Sequence, residues 1–250
     1  MKSLPCCIDG RRADLGEYPD GLYVYQDIRT EGHRPLNLPR HIFYLQDAAR
    51  ELFGTVPDID ERTLEASVSS LLKENDYPSA MPSHITLRHY LSGQTVIAAR
   101  ETSPYRRMTM RTIFPAAAVI DYDIPFSAQP SSLREAARGT AALRAAAAGA
   151  GTVLQRTSSG CIAAADDARP FAVVGREIIM PDTLPSVWSE IAVAAVRKAG
   201  FAPVTETITD ELLARADELF YVDHRGLTAV SRCGGRAYMH IIAERVGENL

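Results

Sequence analysis

Lysine is nearly missing from this chain. Of 27 basic residues among 250, only Lys2, Lys73 and Lys198 are lysines, which leaves 24 arginines. Chemistry that runs through a Schiff base therefore has three candidate amines at most. Clustered metal ligands are missing as well. Cys6, Cys7, Cys161 and Cys233 form no CxxC pair, and the six histidines fall at no tight ligand spacing, so no metal site is expected. His84 and His89 flank one segment at odd spacing, which on a strand sends them to opposite faces. No apolar run approaches the length of a bilayer span, and the first dozen residues lack the long apolar core of a signal peptide. An excess of positive charge is absent too. A net charge of −4 argues against nucleic acid or an anionic membrane as partner. Gly149-Ala-Gly151 stops a helix, and nothing like a phosphate loop follows it. Buried, reduced thiols and a cytoplasmic setting are expected.

What the chain has is apolar bulk. With 46% hydrophobic residues it can bury a substantial core, as one large domain or two modest ones. Residues 4–9 read as a short strand ended by Asp9-Gly10. Residues 21–30 (GLYVYQDIRT) read as a longer strand, answered by residues 34–38 after Glu31-Gly32. Pro39 opens a helix that puts Ile42, Leu45, Ala49, Leu52 and Phe53 on one face, and Gly54 stops it. Residues 61–74 repeat that pattern. Residues 83–91 and 95–101 make a hairpin around Ser92-Gly93, and residues 111–121 are expected to continue the sheet.

Residues 1–122 thus form an α+β domain, and the proline-punctuated residues 123–130 form a linker. The second domain, residues 131–250, opens on an alanine-rich helix capped by Ser131-Ser132. Four strands follow, with a tight loop at Asp166-Asp167 whose paired acids are expected to be solvated. A helix from Pro185 comes next, then a strand over residues 201–206 and a short helix over residues 210–215. Strands over 217–222 and 227–230 precede a closing helix over residues 235–246.

Taken in order, several short motifs resemble class IV aminotransferases, the group of branched-chain and D-amino acid transaminases and aminodeoxychorismate lyase. Tyr25-Gln-Asp-Ile-Arg29 and Arg34-Pro-Leu are similar to the family's FEGIR and KPF strands, and residues 41–49 to its HLDRLxxSA helix. Gly160-Cys-Ile-Ala-Ala stands where the family writes DGxVTE. Phe171, Ile179-Met-Pro181, Leu184-Pro185 and Ala216-Asp-Glu-Leu-Phe220 resemble its NIFxV, TP, LPG and ADEVF motifs. The resemblance covers nearly the whole chain. It implies an α+β, two-domain, D-amino acid aminotransferase-like fold with a barrel-like α/β second domain, a homodimer, and a pyridoxal phosphate (PLP) pocket.

The resemblance also implies which residues should hold that cofactor, and most are replaced. The lysine position falls at Ser131, the pyridine-facing glutamate at Ala164, the following asparagine at Arg169 and the phosphate-binding arginine at Tyr44. Trp188 stands among the small residues that open the next helix, and Asp223-His224-Arg225 replaces the Gly-Thr cluster. A serine forms no Schiff base, and an alanine cannot interact with a pyridinium. The expectation is a degenerate member, a pseudoenzyme with no catalytic residues and no cofactor. Its interdomain cleft, lined by Tyr25, Arg29, Tyr44, Ser131, Ala164, Arg169, Trp188 and His224, is repurposed for a small anionic, carboxylate-bearing ligand. The alternative is an active PLP-dependent aminotransferase or lyase acting on an amino acid through another lysine.

Overall fold

The computed structural model describes residues 5–13, 17–126, 129–183 and 185–250, so Lys2 and Leu184 lie outside the described residues. The chain divides into two compact units, residues 1–107 with 126–134 and residues 108–125 with 135–250.

In the first unit, β1 (Cys6–Ile8), β2 (Arg11–Ala13), β3 (Tyr23–Glu31) and β4 (Arg34–Pro35) precede α1 (Leu38–Phe53) and α2 (Glu61–Glu74). β5 (Ser83–Tyr90) and β6 (Thr95–Thr102) follow. The strands form one antiparallel sheet in the order β2-β1-β6-β5-β3-β4. β4 is shorter than the pattern predicts, because Asn37 at φ 52° turns the chain straight into α1. Proline fits the first turn of that helix, where its missing N–H has no intrahelical partner to lose. Gly54 at φ 68° ends the helix and returns its N–H to the Arg50 carbonyl. Asp60 caps α2 by accepting from the Thr63 amide at 2.7 Å. Both helices lay their apolar faces on the sheet, where Leu45, Ala49, Val68 and Leu72 meet Val24, Ile28, Ile85 and Leu87 in one buried cluster.

The second unit holds β7 (Ala116–Asp121), α3 (Ser132–Ala147, its first turn counted with the first unit), β8 (Thr152–Arg156), β9 (Ile162–Ala165), β10 (Pro170–Val174) and β11 (Glu177–Met180). After these come α4 (Val187–Lys198), β12 (Pro203–Thr205), α5 (Asp210–Arg215), β13 (Glu218–Asp223), β14 (Gly226–Ala229), β15 (Arg232–Cys233), β16 (Arg236–Ala237) and α6 (Ile241–Gly247). Two five-stranded sheets result, β12-β11-β10-β13-β14 and β16-β15-β7-β8-β9. Phe171, Val173, Phe220 and Val222 pack under α4 and α6, while Leu154, Ile162, Leu219 and Tyr221 belong to a second cluster with α5. Glu218 is 2% exposed, and its two carboxylate oxygens accept from the amides of Ile242 and Ala243 at 2.8 Å each. It therefore answers donors that the first turn of α6 cannot satisfy within the helix.

Two segments depart from the sequence reading. Residues 111–115 are irregular, and β7 pairs in parallel with β8 of the second unit rather than extending the first sheet. A parallel partner arrives only after a crossover helix, here α3, so no nearby turn advertises it. The closing helix is also shorter than residues 235–246. Gly234 and Gly235, at φ 55° and 85°, form the turn of the β15–β16 hairpin, and α6 begins at Ile241. Of the four thiols, Cys6, Cys7 and Cys233 are buried and Cys161 is half-buried. No helix of the described residues is long and apolar enough to cross a membrane.

Candidate functional site

β3, between β5 and the short edge strand β4, presents Tyr25 and Arg29, both buried. Arg29 is wholly enclosed. It donates through Nη1 to Ser103 Oγ at 3.2 Å and through Nη2 to the Tyr105 carbonyl at 2.7 Å, and burial pulls its pKa down. This guanidinium thus anchors the segment that leaves β6. Ser131 is buried beside the same strand. It bridges to Val24, the Tyr25 amide donates to the Pro130 carbonyl, and Ser131 Oγ accepts from the Arg134 amide at 3.4 Å. The serine acts as the cap expected of it. Tyr44 on α1 is half-buried, edge-on to Phe43, with the Arg40 guanidinium 5.3 Å from its ring centroid. His84 and His89 find separate partners, Glu101 at 3.3 Å and Thr95 at 3.1 Å.

In the second unit Ala164 is fully buried on β9, opposite Gln155. Arg169, just ahead of β10, donates through Nε to the Thr183 carbonyl at 2.6 Å, while Thr183 Oγ donates to the Ala163 carbonyl at 2.7 Å. Thr183 therefore ties Arg169 to the strand that carries Ala164. Trp188 lies in the first turn of α4 and is 8% exposed. The N-terminus of that helix is closed by its own residues. Ser186 Oγ accepts from the Ser189 amide at 3.1 Å, and Ser189 Oγ accepts from the Ser186 amide at 2.9 Å. His224 is half-buried in the turn between β13 and β14.

Two polar groups in this unit escaped the sequence reading. Asp166 is not a solvated loop acid. At φ 51°, it accepts from the Val153 amide at 3.0 Å and from the Tyr221 hydroxyl at 2.8 Å. Burial first, and then the charge of Asp166, push the Tyr221 phenol well above its ordinary pKa. Asp223, 8% exposed, is ion-paired with the Arg225 guanidinium and accepts from the Arg225 amide at 2.8 Å. Burial alone would raise the Asp223 pKa. The charges of Arg225 and His224 and the hydrogen bonds from Arg225 outweigh it and hold the carboxyl down at about 2. A carboxyl depressed below its unfolded value stabilises the fold above that value and loses the contribution as pH falls through the folded one. The unfolding free energy from urea titrations between pH 5 and pH 2 is expected to fall by on the order of 2 kcal/mol in the window from about pH 4 to pH 2 on account of this group. Asp223→Asn should be less stable at neutral pH and should flatten that acid limb.

The family model described as Amino-transferase class IV matches residues 24–231. No curated protein matches the sequence. Among solved structures, the chain is similar to the branched-chain aminotransferase of Thermoproteus uzoniensis with norvaline, at 19% identity and TM-score 0.82 over 99% of this chain and 93% of that one. An aminotransferase from Brucella abortus bound to the cofactor PLP matches at 16% identity and TM-score 0.83, over 99% and 98% of the two chains. The Escherichia coli branched-chain aminotransferase matches at 15% identity and TM-score 0.79, over 98% and 92%. At such identities these likenesses carry the fold alone.

Proposed function

The chain belongs to the class IV aminotransferase family, and from that premise we propose that it is a degenerate member that no longer performs PLP-dependent transamination. The observation that carries this reading is the placement of its amines. Lys73 and Lys198, the two lysines among the described residues, are exposed in the last turns of α2 and α4, where cations suit the helix C-terminus. Ser131, in the lysine's place, spends its hydroxyl on a helix cap. The phosphate side does not fit the cofactor either. The capping box of Ser186 and Ser189 uses donors that a phosphate would need, and Asp223 sets a buried carboxylate where the family has a Gly-Thr cluster.

The reading is checked by titrating the protein with PLP, reducing with borohydride and mapping any labelled lysine by mass spectrometry. No Schiff-base absorption band and no labelled lysine are expected. A stoichiometric band that a single Lys→Ala substitution abolishes overturns the proposal in favour of a PLP-dependent aminotransferase or lyase. That second reading is the one supported by the PLP-bound Brucella abortus relative.

The ligand of the degenerate site is a small carboxylate. Arg169, whose planar guanidinium is held in place by the Thr183 carbonyl, is its main contact. Arg169→Ala should weaken carboxylate binding at least tenfold, and an unchanged affinity counts against this assignment. The assembly is proposed to be a cytoplasmic homodimer, which light scattering on the purified protein tests.

A further inference from the structure

The second unit holds a cavity of about 320 Å³ that shares no residue with the positions assigned to the family pocket. Its floor is apolar: Val119 of β7, Leu213 of α5, Cys233 of β15 and Tyr238 belong to or pack against one buried cluster. The Tyr238 hydroxyl is already engaged, donating to the Leu213 carbonyl at 3.0 Å. The volume lies at the small end for ligand pockets and suits a molecule of fewer than about ten non-hydrogen atoms.

The rim carries Arg156, Asp210 and Arg236. Arg156 donates through Nε and Nη2 to the two oxygens of Asp121, at 2.6 and 2.9 Å, and through Nη1 to Asp210 Oδ2. One guanidinium is thus shared between two carboxylates with all its nitrogens engaged. Among the described residues no hydrogen bond reaches Asp210 Oδ1. Arg236 donates through Nε and Nη2 to the Ala216 carbonyl at 3.3 and 3.0 Å, while its ion pair with Asp217 is long, at 3.9 Å. Its Nη1 has no partner among the described residues. The rim therefore keeps one acceptor and one donor in reserve.

These two groups decide what the ligand must carry. A lone anion meets Asp210, and a lone cation meets two guanidinium groups. With the flanking carboxylates of Asp121 and Asp217 counted, two cations face three anions, so neither sign dominates. The charges also differ in place. Burial first, and then the charge of Asp210, push the Cys233 thiol pKa up. The Tyr238 phenol is raised by burial and by Cys233, and the charge that pulls it back is that of Arg236. The negative end thus lies over Cys233 and the positive end over Tyr238.

We propose that this cavity binds a small zwitterion, an ω-amino acid whose ammonium donates to Asp210 Oδ1, whose carboxylate accepts from Arg236 Nη1 and whose methylene chain lies on Leu213 and Tyr238. Both ends are charge-assisted hydrogen bonds, the stronger kind. The site stands whether or not the family pocket has lost its cofactor.

The test uses the intact protein at low ionic strength, with no cofactor added, and three probes of one chain length: 4-aminobutyrate, butyrate and butylammonium. Titration followed by NMR is expected to give 4-aminobutyrate a Kd on the order of 1–10 mM, with saturable shifts around Leu213, Cys233 and Tyr238. Each single-charge probe should bind at least about fivefold more weakly, the loss expected for one partly exposed ion pair. Asp210→Asn should bring 4-aminobutyrate down to the level of butyrate, and Arg236→Gln to that of butylammonium. Ala214 is exposed at the mouth of the cavity, so Ala214→Trp should abolish binding while leaving the ion pairs in place. Thermal melting confirms that each variant is folded, and Ala214→Trp decides the matter if Asp210→Asn is not. No saturable shifts at about 100 mM, equal affinity for the three probes, a zwitterion preference that survives either charge substitution, or binding undiminished by Ala214→Trp overturns the proposal.

Discussion

Phe171→Ala is expected to destabilise the second unit by about 3–5 kcal/mol, the range for emptying a fully buried aromatic site. Phe171 has no exposed surface on β10, the middle strand of its sheet, and it sits in register with Phe220 on β13. The two rings stack with centroids 5.2 Å apart and planes within 5° of parallel. Their shared cluster includes Ala192, Val196, Ala243 and Val246, so both α4 and α6 rest on this pair. Small helix residues over a rigid aromatic floor leave little freedom to collapse into the gap. Urea unfolding monitored by the lone Trp188, on α4, reads the loss directly. Domains hold about 5–15 kcal/mol in total, so Phe171→Leu, expected to lose about 1–1.5 kcal/mol, provides a variant that still folds. A cost below about 1.5 kcal/mol for the alanine variant would mean that the helices close over the space.

Gly226→Ala is expected to cost about 2–4 kcal/mol, through backbone rather than core volume. Gly226 adopts φ 123°, and a Cβ there would lie 2.5 Å from the Thr109 carbonyl oxygen, a backbone atom with no side chain to swing aside. That carbonyl accepts from the Leu227 amide at 3.0 Å, and the Arg111 amide returns a bond to the Leu227 carbonyl at 2.8 Å. Relieving the clash therefore breaks the bridge that holds residues 109–111 along β14. Hydrogen exchange should show the Leu227 and Arg111 amides losing protection first. Gly175→Ala separates strain from collision, because Gly175 sits at φ 62° with open space around its Cβ position. It should cost only about 1 kcal/mol. Equal losses in the two variants would remove the close approach as the cause.

The contrast between these glycines indicates which parts of the molecule were legible in the sequence. Signals that act over a few residues translated directly: proline and Gly54 bound α1, the apolar spacing of residues 61–74 folds as α2, and Ser131-Ser132 start α3. Features that depend on distant partners did not. The parallel pairing of β7 with β8 spans a whole helix, and the collision waiting at Gly226 comes from a residue 117 positions away in the chain. Motif order singles out Ser131, Ala164, Arg169 and Trp188 as expected pocket positions, yet it could not show that Asp166, written as a loop acid, accepts the Tyr221 hydroxyl across 55 residues. Paired acids in a loop carry no local mark of such a partner, because the bond that engages one of them is made only when β13 comes alongside.

Glu218 shows what such distant bonds mean for the integrity of the chain. Its carboxylate reaches 24 and 25 residues ahead to the amides that start α6. Clipping the chain near residue 240 would not trim a dispensable tail. It would strip an enclosed anion of both its donors and leave the charge stranded under β13, a penalty of several kcal/mol. The last ten residues therefore melt with the centre of the unit rather than before it, and a protease that cuts there ends the fold instead of shortening it.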